Sequence, residues 1–389
     1  MQNTSTHQKH ANITRPAYGQ FHRWEWAVIG TSCGKIKQLA FDLIDRLGSD
    51  FRFGYVDADH RSADAEESKG KDAGSAMAYG AGMEYTDKIT HHRFEFKGAM
   101  EKFQYRWWFN EQDAVLINGN HFRAERQIVV IDPKKEDSLK RKLDRLTNVE
   151  LILLTENVKE VYPFLQDHLE DVSNIPVMKL SDRARIAEWL TEQMAHARPP
   201  LYGLVLAGGK SRRMGRDKGA IDFHGKPQRE HAADLLTHFC EQTFLSCRPE
   251  QLKDIDSGYP VITDSFIELG PFGAILSAFR EFPDAAWLVI ATDLPLLDQT
   301  TLAQLTAKRN VSKTATAFNS PVNKFPEPLI AIWEPRSYPV LLQFLAQGYS
   351  CPRKALINSD VELLDAANPD ALMNVNHPEE LQRVRKLLS

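Results

Sequence analysis

Tyr202-Gly203-Leu204-Val205-Leu206-Ala207-Gly208-Gly209-Lys210-Ser211-Arg212-Arg213-Met214-Gly215-Arg216-Asp217-Lys218 is an apolar strand that runs without a break into a loop of glycines and cations. Gly208 and Gly209 have no side chains, so the backbone there can approach a ligand and turn its N–H groups on phosphate oxygens. Arg212, Arg213, Arg216 and Lys218 bring positive charge to the same loop. A nucleoside triphosphate needs that pairing of peptide donors with fixed cations. A tight turn with a solvated basic rim is the competing reading, and a lone Gly-Gly would favour it. The crowding of glycines, arginines and lysine directly behind a buried strand favours phosphate.

Outward from this loop, strand and helix alternate. Strands are expected at Thr243–Ser246, Pro260–Thr263, Trp287–Ala291, Ala315–Phe318 and Leu329–Trp333, with helices at Gln228–Phe239, Phe272–Phe282, Gln299–Lys308, Tyr338–Gln347 and Pro378–Leu388. The other half opens in the same way, with a strand at Trp26–Ile29, a glycine loop, and a helix at Lys37–Leu47. Two more strands are expected there, Ala114–Asn118 and Glu150–Thr155. This alternation predicts an α/β chain of two three-layer domains with mostly parallel sheets, the C-terminal one Rossmann-like and the N-terminal one P-loop-like. An amphipathic helix with Ser181 as its cap candidate ends at Ala197-Arg198-Pro199-Pro200, a stiff break. The expected organisation is a polar tail at 1–20, one domain at 21–180, a helix and linker at 181–200, and a second domain at 201–389.

Composition agrees with two globular domains. The chain has 389 residues, 42% hydrophobic and 26% charged, enough for two cores. A net charge of -4 gives no global field for nucleic acid or an acidic membrane. Cys33, Cys240, Cys247 and Cys351 form no Cys-x-x-Cys pair and have no zinc-finger spacing to histidines. No apolar run reaches the roughly 18 residues that span a bilayer, and residues 1–20 lack a secretory apolar core. A cytoplasmic protein with reduced thiols is expected. The tail histidines, His7 and His10, are read as solvated.

Two further stretches bear on chemistry. The strand ending at Ala291 runs into Thr292-Asp293-Leu294-Pro295, which sets an aspartate at the ligand edge of a sheet. One carboxylate with phosphate oxygens is a common way to hold magnesium. Asp298 is the candidate N-cap of the following helix, so capping does not require Asp293. In the first half, Gly30-Thr31-Ser32-Cys33-Gly34-Lys35-Ile36 has the outline of a phosphate loop. A working loop has four residues between its glycines and Ser or Thr after the lysine. Here there are three, and Ile36 stands where the metal-binding hydroxyl would be.

The run from Leu206 to Lys218, followed by Gly225-Lys226-Pro227, resembles the signature of the molybdenum cofactor guanylyltransferases and their nucleotidyltransferase relatives. The resemblance implies that Leu206, Ala207, Gly208, Gly209, Lys218, Asp264 and Asp293 bind nucleotide. It implies catalytic roles for Arg213, Lys218 and Asp293, and magnesium at Asp293 with Asn376 of Asn374-Val375-Asn376-His377-Pro378-Glu379. Gly270-Pro271-Phe272-Gly273-Ala274 departs slightly from the family's Gly-Pro-Leu-Ala-Gly turn. Arg353 and Lys354, in an expected loop after Pro352, resemble a basic element on the acceptor side, with a solvated charge pair as the competing reading. The substrates implied are GTP and molybdenum-bound molybdopterin, with molybdoenzymes or cofactor-delivery proteins as further partners. Three alternatives stay open: a cytidylyltransferase using CTP, a sugar-phosphate nucleotidyltransferase, and a non-catalytic cofactor carrier. Gly208 mildly favours guanine, and the Asn-Val-Asn ending argues against the sugar enzyme.

Gly30, Gly34 and Lys35, with Asp57-Ala58-Asp59-His60, Gly70-Lys71-Asp72-Ala73 and Gly80-Ala81-Gly82, resemble the GTP-binding adaptor protein of molybdopterin guanine dinucleotide synthesis. Asn118-Gly119 replaces the Glu-Gly expected after its later strand. Ile36 and Asn118 both remove groups that serve metal-dependent hydrolysis. The first domain is therefore expected to bind or scaffold, with GTP hydrolysis weak or lost.

Overall fold

The structure is a computed structural model, and it describes residues 23–59, 75–99, 101, 103–196, 198–209, 218–255, 257–375, 379, 380, 382, 384 and 386. The chain divides into two compact units, Met1–Glu192 and Gln193–Ser389. No helix among the described residues is long and apolar enough to cross a membrane.

The first unit is built on β1 (Trp24–Ile29), β2 (Phe53–Val56), β5 (Ala114–Asn118), β6 (Arg126–Ile131), β7 (Val149–Leu154) and β8 (Val177–Lys179), in the order β2-β5-β1-β6-β7-β8. Every pairing in this sheet is parallel. Strands β3 (Met83–Asp87) and β4 (His92–Phe96) form a separate antiparallel pair. Helices α1 (Cys33–Leu47), α2 (Gln104–Trp108), α3 (Glu136–Lys140), α4 (Pro163–His168) and α5 (Arg183–His196) complete the unit. Strand β6 was not anticipated from the sequence, although its Ile128–Ile131 run is fully buried. Its polar start, Arg126-Gln127, hid the apolar run from a pattern search; Gln127 is itself buried and accepts from the Thr147 and Asn148 amides. The cap of α5 is Asp182, whose carboxylate accepts from the Arg185 amide at 3.2 Å, and not Ser181. Helix α5 packs on the first unit: Trp189 meets Trp26 with ring centroids 5.9 Å apart, and Arg183 bonds Asp42 at 2.9 Å.

The second unit holds β9 (Leu201–Leu206), β10 (Gln242–Cys247), β11 (Val261–Thr263), β12 (Ala286–Ala291), β13 (Ala315–Asn319), β14 (Pro326–Trp333) and β15 (Val361–Leu364), ordered β11-β10-β9-β12-β14-β13-β15. Only β14 runs antiparallel to its neighbours. Its helices are α6 (Gln228–Thr237), α7 (Pro271–Glu281), α8 (Gln299–Ala307), α9 (Ser337–Ala346) and α10 (Pro352–Ile357). Both faces of the sheet are covered, so β12 is buried along its whole length and reads as a continuous apolar run. Its alternate residues sort into two cores. Ala286, Leu288 and Ile290 join α6 and α8, while Trp287 and Val289 join α7, α9 and α10. The three layers expected from the alternation are thus present in this unit. Asp298 caps α8, accepting from the Thr301 amide at 2.7 Å. Arg353 and Lys354 lie in α10, not in a loop, because Pro352 starts a helix at its first position.

Candidate active site at the carboxyl edge of the second sheet

The register lines up the ends of four strands. Leu206 pairs with Ser246 on one side and Ala291 on the other, and Cys247 pairs with Thr263. Gly208, Asp264 and Asp293 each follow that row by one or two residues, so parallel pairing brings them to one edge. This is the place where open α/β sheets bind ligands.

The loop after β9 is fastened to β10. The Ala207 amide donates to Ser246 O at 2.9 Å, and the Arg248 Nε donates to Gly208 O at 2.9 Å. A Cβ on Gly208 would lie 3.2 Å from the Arg248 nitrogen and 3.3 Å from Cys247 Cα. Glycine here eases the close approach of two backbones, which a side chain would have to push apart by a few tenths of an ångström, besides anything a ligand would require. Arg248 was not singled out from the sequence; a cation one residue past a buried strand was the available signal.

Asp264 continues from β11, with its amide on Cys247 O at 2.8 Å and its carboxylate accepting from Ser246 Oγ at 2.8 Å. Burial pushes its pKa up to about 6, against the opposing pull of the Ser246 bond and the Arg248 charge. Asp293 follows β12 in a turn. Thr292 Oγ1 donates to Leu206 O at 3.5 Å, and the Val375 amide donates to Asp293 O at 2.8 Å. The segment that precedes Asn376 in the chain therefore reaches the Asp293 turn. Arg213, Asn376 and the side chain of Lys218 lie outside the described residues, as do the tail and the Gly70–Ala73 stretch.

On α10, Arg353 donates to Glu327 at 3.0 Å and to Pro326 O at 3.1 Å, while the Lys354 ammonium sits 5.9 Å from the Tyr349 ring centre. Arg353 thereby braces the start of β14.

In the first unit, the loop after β1 turns sharply at a glycine and leads straight into α1. Gly30 has φ +100°, and a Cβ there would fall 2.2 Å from Val130 O. The polar groups of that loop are partnered within the protein. Ser32 caps α1 over the Lys35 amide at 3.5 Å. Asp132, 4% exposed, accepts from Thr31 Oγ1 at 2.6 Å, Lys35 Nζ at 3.0 Å and the Lys134 amide at 3.2 Å. Burial opposes its ionisation, but these bonds and the Lys35 charge outweigh it and hold the carboxyl below the ordinary range. Ile36 is buried in the core, so the position after Lys35 presents no hydroxyl to the loop. Asn118 donates to Asp57 at 2.7 Å, beside the Tyr55 hydroxyl at 2.6 Å.

A Rossmann-like sheet carries a glycine loop, a half-buried aspartate and an acidic turn at the ends of β9, β11 and β12, and the chain is of the nucleotidyltransferase class. The family described as MobA-like NTP transferase domain matches residues 203–363. A molybdenum cofactor guanylyltransferase of Pseudomonas putida is 31% identical over 192 residues, covering 49% of this chain and 100% of that protein. The chain belongs to the molybdenum cofactor guanylyltransferase family through this half. A molybdenum cofactor biosynthesis bifunctional protein of Synechocystis is 37% identical over 186 residues, 48% of this chain. The match spans about half of that relative, 54% of its length. Among solved structures, molybdopterin-guanine dinucleotide biosynthesis protein A from Archaeoglobus fulgidus is similar at 24% identity and TM-score 0.41, covering 48% of this chain and 97% of that one.

Proposed function

We propose that the second unit transfers GMP from GTP to Mo-molybdopterin, releasing pyrophosphate and forming molybdopterin guanine dinucleotide. The observation that carries this reading is the meeting of Gly208, Asp264 and Asp293 on one sheet edge, in a chain related to guanylyltransferases. The terminal phosphate of molybdopterin attacks the α-phosphorus of GTP as the bond to pyrophosphate breaks. A phosphate nucleophile needs no strong base, so positioning and charge stabilisation carry the step.

Leu206, Ala207, Gly208 and Gly209 shape the nucleotide loop, and Arg213 and Lys218 neutralise phosphate charge. Asp293 suits a hard divalent cation. It is a carboxylate residue on a turn whose backbone is tied to Val375 and, through Thr292, to Leu206. Magnesium matches such a site, which completes its shell with phosphate oxygens. Asp293, with Asn376, would hold it, and it would supply charge neutralisation on the phosphates. Lys354 and Arg353 are assigned to the acceptor side. For the first unit we propose a binding or scaffolding role without GTP hydrolysis, supported by Ile36, Asn118 and the Asp132 carboxylate on Lys35.

The test is pyrophosphate release by the purified chain with magnesium and Mo-molybdopterin, with GTP or CTP. Release with GTP alone supports the assignment. Release with CTP alone overturns the base, and silence with both overturns the acceptor. Asp293→Asn should lower kcat by about 10²–10³, the scale of one lost preorganised electrostatic contact.

A further inference from the structure

The turn that carries Asp293 is anchored through three consecutive carbonyls, each by a different part of the chain. Asp293 O accepts from the Val375 amide at 2.8 Å. Leu294 O accepts from the Leu297 amide at 3.3 Å and from Gln228 Nε2 at 3.4 Å. Pro295 O is 2.9 Å from His224 Nε2. A carbonyl oxygen only accepts, so the last bond places the His224 proton on Nε2. Beneath the same turn, Ile221, Phe223, Leu296, Met373 and Val375 form a small apolar cluster that joins the three segments.

His224 is itself held in place. Its ring stacks on His231 with centroids 3.7 Å apart and planes 15° from parallel. Burial, with the neighbouring His224 and Lys226, pushes His231 down to about 4, so that the stack has an uncharged ring at neutral pH. The amide of Gly225 bonds Asp222 at 2.7 Å, and Lys226 pairs with Asp234, which also accepts from Tyr259. The Gly225-Lys226-Pro227 turn is thus braced on both sides of the histidine.

We propose that His224 is a positioning residue for the Asp293 carboxylate. Its Nε2–H on Pro295 O fixes the far end of the turn, so that Asp293 meets a divalent cation and the nucleotide phosphates without searching. The inference rests on the assignment of Asp293 to the metal. A carboxylate displaced by about 1 Å in such a site costs on the order of 10²-fold in rate, so loss of one of three anchors should cost roughly tenfold to that limit.

The experiment measures Mn2+ binding to the GTP complex by electron paramagnetic resonance, together with kcat and KM for GTP. His224→Ala should weaken Mn2+ binding and lower kcat, each by about tenfold or more, with little change in KM for GTP. His224→Gln places an amide N–H at the same reach and should recover most of both. If His224→Ala fails to fold, His224→Phe keeps a ring on His231 without a donor, and the same losses are expected. Unchanged Mn2+ binding in the Ala or Phe variant, or a Gln variant as impaired as Ala, overturns the role. A wild-type chain that binds Mn2+ and GTP yet releases no pyrophosphate would overturn the guanylyl transfer reading alone, and Mn2+ binding would still decide the role of His224.

Discussion

Asp264→Asn should stabilise the second unit at alkaline pH while weakening its hold on nucleotide. Burial raises the Asp264 pKa from 3.8 to about 6. A carboxyl whose folded pKa lies above its unfolded value contributes most below the unfolded pKa and loses that contribution as pH rises through the folded one. The window here runs from about pH 4 to pH 6. A rise of about two pH units at about 1.36 kcal/mol each amounts to about 3 kcal/mol, of which about 2 kcal/mol develops between pH 4 and pH 8. Asparagine keeps the shape and still accepts from Ser246 Oγ, but carries no charge to bury. Urea unfolding of both proteins at the two pH values is the assay, and the advantage of the variant should grow by about 2 kcal/mol from acid to alkali. An advantage that is equal at both pH values would refute the assignment of that cost to the buried charge. GTP titration of the same pair should show weaker binding by the variant, because a carboxylate kept at this edge at a cost is an acceptor for ligand N–H or O–H groups. A stable variant that lost function would fit the usual conflict between the two.

Arg309 makes two bonds to Glu334, at 2.7 and 2.9 Å, and a third to Pro199 O at 3.0 Å, with both side chains buried. Arg309→Ala leaves Glu334 charged and unpaired, and should cost about 3–5 kcal/mol by chemical denaturation; a loss under about 1 kcal/mol would show the pair to be dispensable. In the first unit, the Asp132 carboxylate already answers Lys35. Calorimetry of the full chain should find one GTP bound per chain, and Asp132→Asn should expose a second, weaker site; two sites in the wild-type protein would contradict the self-paired loop.

Much of this was legible in the sequence because it depends on local rules. The strand and glycine loop at Leu201–Gly209, the fully apolar β12 with Asp293 beyond it, and the Asp298 cap all follow from periodicity and short-range chemistry. The isoleucine after Lys35, in place of a hydroxyl residue, could likewise be read directly from the sequence. Strand β6 was not legible, because its buried Gln127 is satisfied by amides some twenty residues away. Nor was the helix at Pro352, where an isolated proline marks a helix start and a loop alike.

Tertiary structure alone decided which of these features meet. Parallel register lines Gly208, Asp264 and Asp293 along one edge, although 85 residues separate the first from the last. Asp132 lies 97 residues from the lysine it neutralises, and His224 lies 71 residues from the carbonyl it holds. Burial then moved the pH at which Asp264 ionises, a property of its surroundings that no spacing encodes. The pattern of residues determined the elements and the kind of chemistry at their ends; long-range pairing and desolvation determined which groups share a site and how readily they ionise.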